Sequence, residues 1–206
     1  AEALGSWKVH KEKKIHCGLI GDIGIISFNG NKVLTTGGGG VIITDNKEKA
    51  LKAKHLSTTA KIEHPWEYDH DQVGWNDRLP NINAALGVAQ LEKLEFIISK
   101  KRKLANMYKE LFNNFEDIKI LDEPNDSISN FWLNTLRFNF YDIKKVKIIR
   151  NDLLEQSHKL GLMLRPTWKP LHLLKPYLSS PRGILNISEE EHLRLINLPS
   201  SPKLIR

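Results

Sequence analysis

The feature that most constrains this chain is a run of apolar residues with helical spacing. Ile82, Leu86, Ala89, Ile97, Leu104, Tyr108, Leu111 and Phe115 recur at three- and four-residue steps and their multiples. That spacing puts them on one face of an α-helix. It predicts a single amphipathic helix of about 30 residues, roughly 45 Å long at 1.5 Å of rise per residue, and such a helix can bridge two domains.

The elements on either side follow from local signals. Between Gly18 and Thr44 short apolar runs, IGIISF and VIIT, flank GNKVLTTGGGG, which predicts two buried strands joined by a glycine-rich turn. Asn46 is placed to cap a helix from Lys47 to about His55. Residues Ser57 to Arg78 are polar and lack a helical period, so they read as a long loop, and loops of that length are usually functional. After Glu123-Pro124-Asn125-Asp126 the composition turns to strand in FWLNTLRFNF. A helix pattern then runs from about Ile143 to Leu160 and stops at Gly161. Ser188 with Glu191 three residues on has the form of a capping box that opens a short helix. A boundary within Phe115 to Ile120 divides the chain into 1–115 and a small α+β domain at 116–206.

Composition narrows the class. With 206 residues, 40% hydrophobic and 27% charged, the chain has globular proportions and is not expected to be disordered. No apolar run approaches the roughly 20 residues of a membrane span, and the opening AEALGSWKVHKEKK lacks the apolar core of a signal peptide, so a soluble, cytoplasmic protein is expected. The single Cys17 excludes an intramolecular disulfide and fits a reducing compartment. A net charge of +7 is able to attract phosphates, but the basic residues are spread out. The densest runs, KEKK ending at Lys14 and SKKRK ending at Lys103, read first as solvated faces, and no nucleic-acid partner is expected. The chain starts at Ala1 without a Met, and AEALGS reads as the interior of a longer sequence or as a processed end.

Chemistry-bearing residues concentrate in two places. Lys32 stands in SFNGNK, immediately before the TTGGGG run, between two apolar segments. A lysine there is either an ordinary turn residue or a partly desolvated amine able to attack a carbonyl. The four glycines either let the backbone pass close to a ligand or make a tight turn. They form neither a P-loop nor a GxGxxG fingerprint. In VGWNDRLPN, Asn76 and Arg78 offer amide and guanidinium donors to a phosphate, or serve as a turn residue and a surface ion pair. The eight histidines include no HxxxH or HExxH pair, so no metal site is expected. No GxSxG elbow is present.

Taken in order, SFNGNK with TTGGGG, HLSTTAK, HPWEYDHDQVGWNDRLPNINAALG, RPTWKPLH and the terminal NLPSSP resemble the DegT/DnrJ/EryC1/StrS group of pyridoxal-phosphate-dependent sugar aminotransferases over nearly the whole chain. STTAK, HPWE and PNINAALG are most similar to enzymes that aminate C4 of a UDP-linked 4-keto-6-deoxy sugar for bacillosamine or legionaminic acid synthesis. The resemblance implies an α/β fold, the C-terminal part of an aspartate-aminotransferase-like, fold type I transferase. It implies pyridoxal 5′-phosphate as cofactor, glutamate as amino donor, a nucleotide-linked keto-sugar as acceptor, and a homodimer with composite active sites.

By the same resemblance, Lys32 is the lysine that bonds to the cofactor as a Schiff base and shuttles the proton. Ser27 is the serine that hydrogen-bonds the cofactor phosphate. Asn76 reaches the phosphate in the neighbouring subunit. Glu2 stands near the cofactor's 3-hydroxyl, and Trp168 and His172 border the substrate entrance. Two departures are visible. TTGGGG replaces the commoner TTGEGG, and the aspartate that pairs with the pyridine nitrogen is expected upstream of Ala1. A truncated or split, non-catalytic fragment that needs a partner chain is therefore the competing expectation. On that view the 206 residues alone do not transaminate, and the runs Ile23 to Phe28 and Val41 to Ile43 are left partly uncovered.

Overall fold

Alternation along Ile25, Ile26 and Ser27 makes β3 (Gly24–Ser27), which pairs antiparallel with β4 (Gly40–Ile43) in the register Ser27 opposite Gly40. The computed structural model describes residues 1–10 and 12–205, so Lys11 of the basic KEKK run lies outside the described residues. Ahead of β3, the strands β1 (Trp7–His10) and β2 (Lys13–His16) form a hairpin, with Trp7 opposite His16. Sequence reading gave no strand here, because its lysines look like a solvated run. The hairpin uses one of them as cover: the Lys14 ammonium lies 4.5 Å from the centre of the Trp7 ring.

The chain folds as two compact units, Ala1–Ser99 with Glu123–Trp132, and Lys100–Asp122 with Leu133–Arg206. This partition interleaves segments, whereas the division at residue 115 was drawn where the composition changes. In the first unit, β1 also pairs antiparallel with β6 (Ser127–Ile128), and a small core of Ile26, Phe28 and Leu34 is flanked by Leu4, Ile43 and Leu94. The β3–β4 pair is not buried on both faces, as the sequence had suggested. Ile25 is 64% exposed and Ile42 50%, since period-two alternation turns only Ile26 and its neighbours inward. Helix α1 (Lys47–Ser57) is capped as expected, the Asn46 side chain accepting a hydrogen bond from the Lys49 N–H at 3.0 Å.

The expected 30-residue helix is two helices, α2 (Asn81–Leu91) and α3 (Leu94–Phe112). No proline or glycine marks the break at Glu92-Lys93. The backbone ladder changes step there, the Lys93 N–H donating to the carbonyl of Gln90 rather than one turn back. Gln90 is committed elsewhere: its carboxamide exchanges hydrogen bonds with the backbone N–H and C=O of Thr35 at 3.3 and 2.8 Å.

The second unit is an antiparallel sheet in the order β5 (Ile118–Ile120), β7 (Asn134–Phe138), β9 (Leu195–Leu198), β8 (Arg165–Pro166). Its core of Ile120, Leu136, Phe138, Val146, Leu164, Ile196 and Leu198 packs helix α4 (Ile143–Lys159) against the sheet. Gly161, at φ +75°, ends α4 where the sequence put its stop. Helix α5 runs Asn186–Arg194, two residues earlier than expected, and Ser188 does not cap it. Glu191 is unavailable for a capping box because it accepts both Nε and Nη2 of Arg137, at 2.7 and 2.6 Å. Among the described residues, no helix is long and apolar enough to cross a membrane.

Candidate active site

The connection between β3 and β4 carries the first set of predicted residues. It leaves the sheet at Ser27, and Thr36 N–H and Thr35 Oγ1 donate to the Phe28 carbonyl at 3.1 and 2.9 Å, so the loop doubles back over Phe28. Gly37 and Gly39 hold φ of +85° and +82°, which glycine adopts without the cost a side chain would bring. The loop is anchored from α2 as well, with Asn83 Nδ2 donating to the Thr36 carbonyl at 2.5 Å.

This scaffold fixes Lys32 in a restricted setting. Its backbone N–H donates to the Asn29 carbonyl at 3.1 Å. The side chain is only 12% exposed, and its ammonium makes an ion pair with the Glu2 carboxylate. The same ammonium lies 4.5 Å from the centre of the Trp132 ring. Trp132 is tied to this loop through its indole N–H, which donates to the Asn31 carbonyl at 2.6 Å. The hydrogen bond from Lys32 holds the Glu2 carboxyl below its ordinary pKa, against a smaller opposing effect of burial. Lys32 and Glu2, two of the predicted residues, thus meet directly. Trp132 and Asn130, which sequence reasoning missed, complete their surroundings.

Ser27 stands at the end of β3, opposite Gly40, and its hydroxyl accepts the Asn29 N–H at 3.3 Å. Asn76 reaches the other side of the glycine run. It sits in the long loop after α1, whose backbone forms its own short ladder. Trp75 N–H donates to the Leu56 carbonyl at 2.7 Å, Thr59 N–H to the Trp75 carbonyl at 2.8 Å, and Asp77 N–H to the Ser57 carbonyl at 3.0 Å. Gly74 allows this close pass, since a Cβ there would lie 2.5 Å from the Thr59 backbone. The result is a cavity of about 500 Å³ lined by Gly38, Gly39 and Gly40 together with Asn76, Asp77, Arg78 and Asn83. Asn76 Oδ1 accepts the Arg78 Nε–H at 3.4 Å, leaving its exposed amide to face solvent with the guanidinium.

Trp168 and His172 belong to the second unit. The His172 Nε2 is 2.8 Å from a Glu189 carboxylate oxygen, its carbonyl accepts Arg182 Nη1 at 3.3 Å, and the Trp168 side chain is largely exposed.

The donor set suits a phosphorylated aldehyde. Lys32 supplies an amine of low exposure and Ser27 a hydroxyl at the end of β3, while the Asn76 amide and the Arg78 guanidinium supply donors in the glycine-lined cavity, whose lining includes neither Lys32 nor Ser27. Asp77 is the one acidic group in that lining.

Comparison with known proteins agrees. The profile of the DegT/DnrJ/EryC1/StrS aminotransferase family matches residues 1–206. The GDP-perosamine synthase of Escherichia coli O157:H7 is 34% identical over 99% of this chain and 52% of its own length. A UDP-4-amino-4,6-dideoxy-N-acetyl-beta-L-altrosamine transaminase of Campylobacter jejuni is 34% identical over 62% of this chain and 34% of its own. The structure of Helicobacter pylori PseC, an aminotransferase involved in the biosynthesis of pseudoaminic acid, superposes with a TM-score of 0.86 at 26% identity, covering 99% of this chain and 53% of that one. The same fold is known in pyridoxal-phosphate and pyridoxamine-phosphate forms. The chain spans about half the length of the full-coverage relatives it matches.

Proposed function

The chain belongs to the DegT/DnrJ/EryC1/StrS aminotransferase family, and from that premise we propose that the protein carrying it is a pyridoxal-phosphate-dependent aminotransferase. It moves an amino group from glutamate to C4 of a nucleotide-linked 4-keto-6-deoxy sugar, in the cytoplasm, for a cell-surface glycan. The observation that carries this reading is the Lys32 side chain, 12% exposed and paired with Glu2. Two of the relatives named above bear the names of a GDP-linked and a UDP-linked sugar, which supports the substrate class.

When bound, the cofactor supplies an electron sink for the carbon that loses its proton. The residues of this chain supply binding and proton handling. Lys32 presents the amine that would hold the aldehyde end, and in its protonated form it donates to Glu2, so a carboxylate stands beside any proton that leaves it. Ser27 and Asn76 would bind the phosphate by hydrogen bonds. Trp132 covers the ammonium and limits its contact with water. Trp168 and His172 would border the sugar.

The assay is transfer from glutamate to UDP-linked and GDP-linked 4-keto-6-deoxy sugars, with the amino sugar read by mass spectrometry. Product from either is expected, and absence of product from both with folded, cofactor-loaded protein overturns the reading. Asn76 is proposed to serve a neighbouring subunit in a homodimer. Mixing Asn76→Ala with Lys32→Ala protein would then restore activity, and a mixture that stays at background excludes that role.

A second reading, in which the 206 residues contribute Lys32 to a site completed by another polypeptide segment, is favoured by the exposed apolar face of β3 and β4 at Ile25 and Ile42, with the exposed Ile23 just ahead of β3. It predicts that the chain alone aggregates or is inactive. Monodisperse, active 206-residue protein would exclude it.

A further inference from the structure

Asn130 is 4% exposed and joins its near neighbour Trp132 to the segment that carries Glu2, Leu4 and Ser6, 124 to 128 positions away. Its Nδ2 donates to the Glu2 carbonyl at 2.7 Å and to the Leu4 carbonyl at 2.9 Å. Its Oδ1 accepts the Trp132 N–H at 2.9 Å, and its own N–H donates to Ser6 Oγ at 3.0 Å. One buried carboxamide therefore fixes the backbone of both residues that contact the Lys32 ammonium, Glu2 by ion pairing and Trp132 by its ring. Every polar atom of that carboxamide is used, which suits a buried polar group.

We propose that Asn130 is a positioning residue that holds Glu2 and Trp132 against Lys32. The segment Ala1 to Ser6 belongs to no helix or strand and carries Glu2. Backbone bonds hold its two ends, Ser27 N–H donating to the Ala1 carbonyl at 3.1 Å and Cys17 N–H to the Ser6 carbonyl at 3.0 Å, and between them the Asn130 carboxamide ties down the carbonyls of Glu2 and Leu4. A carboxylate at position 130 would set negative oxygens against the Glu2 and Leu4 carbonyls and push the segment away. The inference rests on the reading of Lys32 as the reacting amine only for its bearing on catalysis, since the contact network is independent of any cofactor.

The test labels lysines of the cofactor-free protein with acetic anhydride and compares Lys32 with Lys49 and Lys147 in the same sample by mass spectrometry. Asn130→Asp should raise Lys32 labelling several-fold while Lys49 and Lys147 stay constant. Glu2→Gln should raise it as well, and the double variant should label no more than the stronger single one, because both changes act on one contact. Unchanged Lys32 labelling in Asn130→Asp overturns the proposal, as do fully additive effects. If Asn130→Asp raises all lysines together, Asn130→Ser decides by the same comparison, and a uniform rise there makes Asn130 a general folding residue and overturns its positioning role. Failure of Lys32 as the cofactor lysine is read separately, by locating the reduced cofactor adduct in the wild-type protein.

Discussion

Lys32 and Glu2, thirty positions apart, form an ion pair in which the lysine side chain is nearly covered and the carboxylate half exposed. Because the hydrogen bond from Lys32 depresses the Glu2 pKa, the pair is complete above the usual carboxylate value of 4.5 and is lost only as pH falls through the lower folded-state value. A carboxyl-detected NMR titration should place the Glu2 midpoint below 4.5. Lys32→Met should return it toward 4.5, and a midpoint that does not respond to that change would show that the pair does not persist in solution.

His16 gives a second pH dependence of the same sign, the deprotonated form again being favoured, here as a neutral ring rather than a charged carboxylate. Its ring is buried, with Gly18 N–H donating to Nδ1 at 3.1 Å and the Nε2 side facing the backbone of Ala3 and Gly5. Burial pushes its pKa below 6.5, opposed in part by the bond to the Ala3 backbone. The unfolded chain then binds more protons than the folded one below 6.5, so stability is full above that pH and declines as pH falls through the folded value. His192, also depressed by burial and by Arg150, contributes in the same direction. Thermal melts from pH 8 to 5 should show this loss, and His16→Gln should flatten part of it. An unchanged slope in the variant would assign the whole effect to other groups.

Ile196 is fully buried on β9, between β7 and β8, in the core of the second unit. Ile196→Ala removes methyl groups from a site held by sheet and helix, and should cost about 2–5 kcal/mol. Urea unfolding checks this, and a loss under about 1 kcal/mol would mean that the site collapses around the cavity.

How much of this was legible in the sequence depends on the range of the interaction. Asn46 capping α1, Gly161 ending α4 and the strand within FWLNTLRFNF are local signals, and all three stand where they were read. The break at Glu92-Lys93 was not legible, because it accompanies the commitment of Gln90 to Thr35, fifty-five residues away. The β1–β2 hairpin was hidden because a lysine that covers an indole looks, in sequence, like one that faces water. In the site, the Lys32 segment was marked by its glycines and its resemblance to a family. Asn130 and Trp132 carry no local signature, being neighbours of Lys32 only through contacts that span about a hundred residues of chain.

Lys32 is proposed to carry the cofactor. The most direct measurement is borohydride reduction of the protein loaded with pyridoxal 5′-phosphate, followed by peptide mass mapping. The reduced adduct should fall on Lys32 and disappear in Lys32→Ala, while an adduct on another lysine, or one that survives that substitution, would contradict the account.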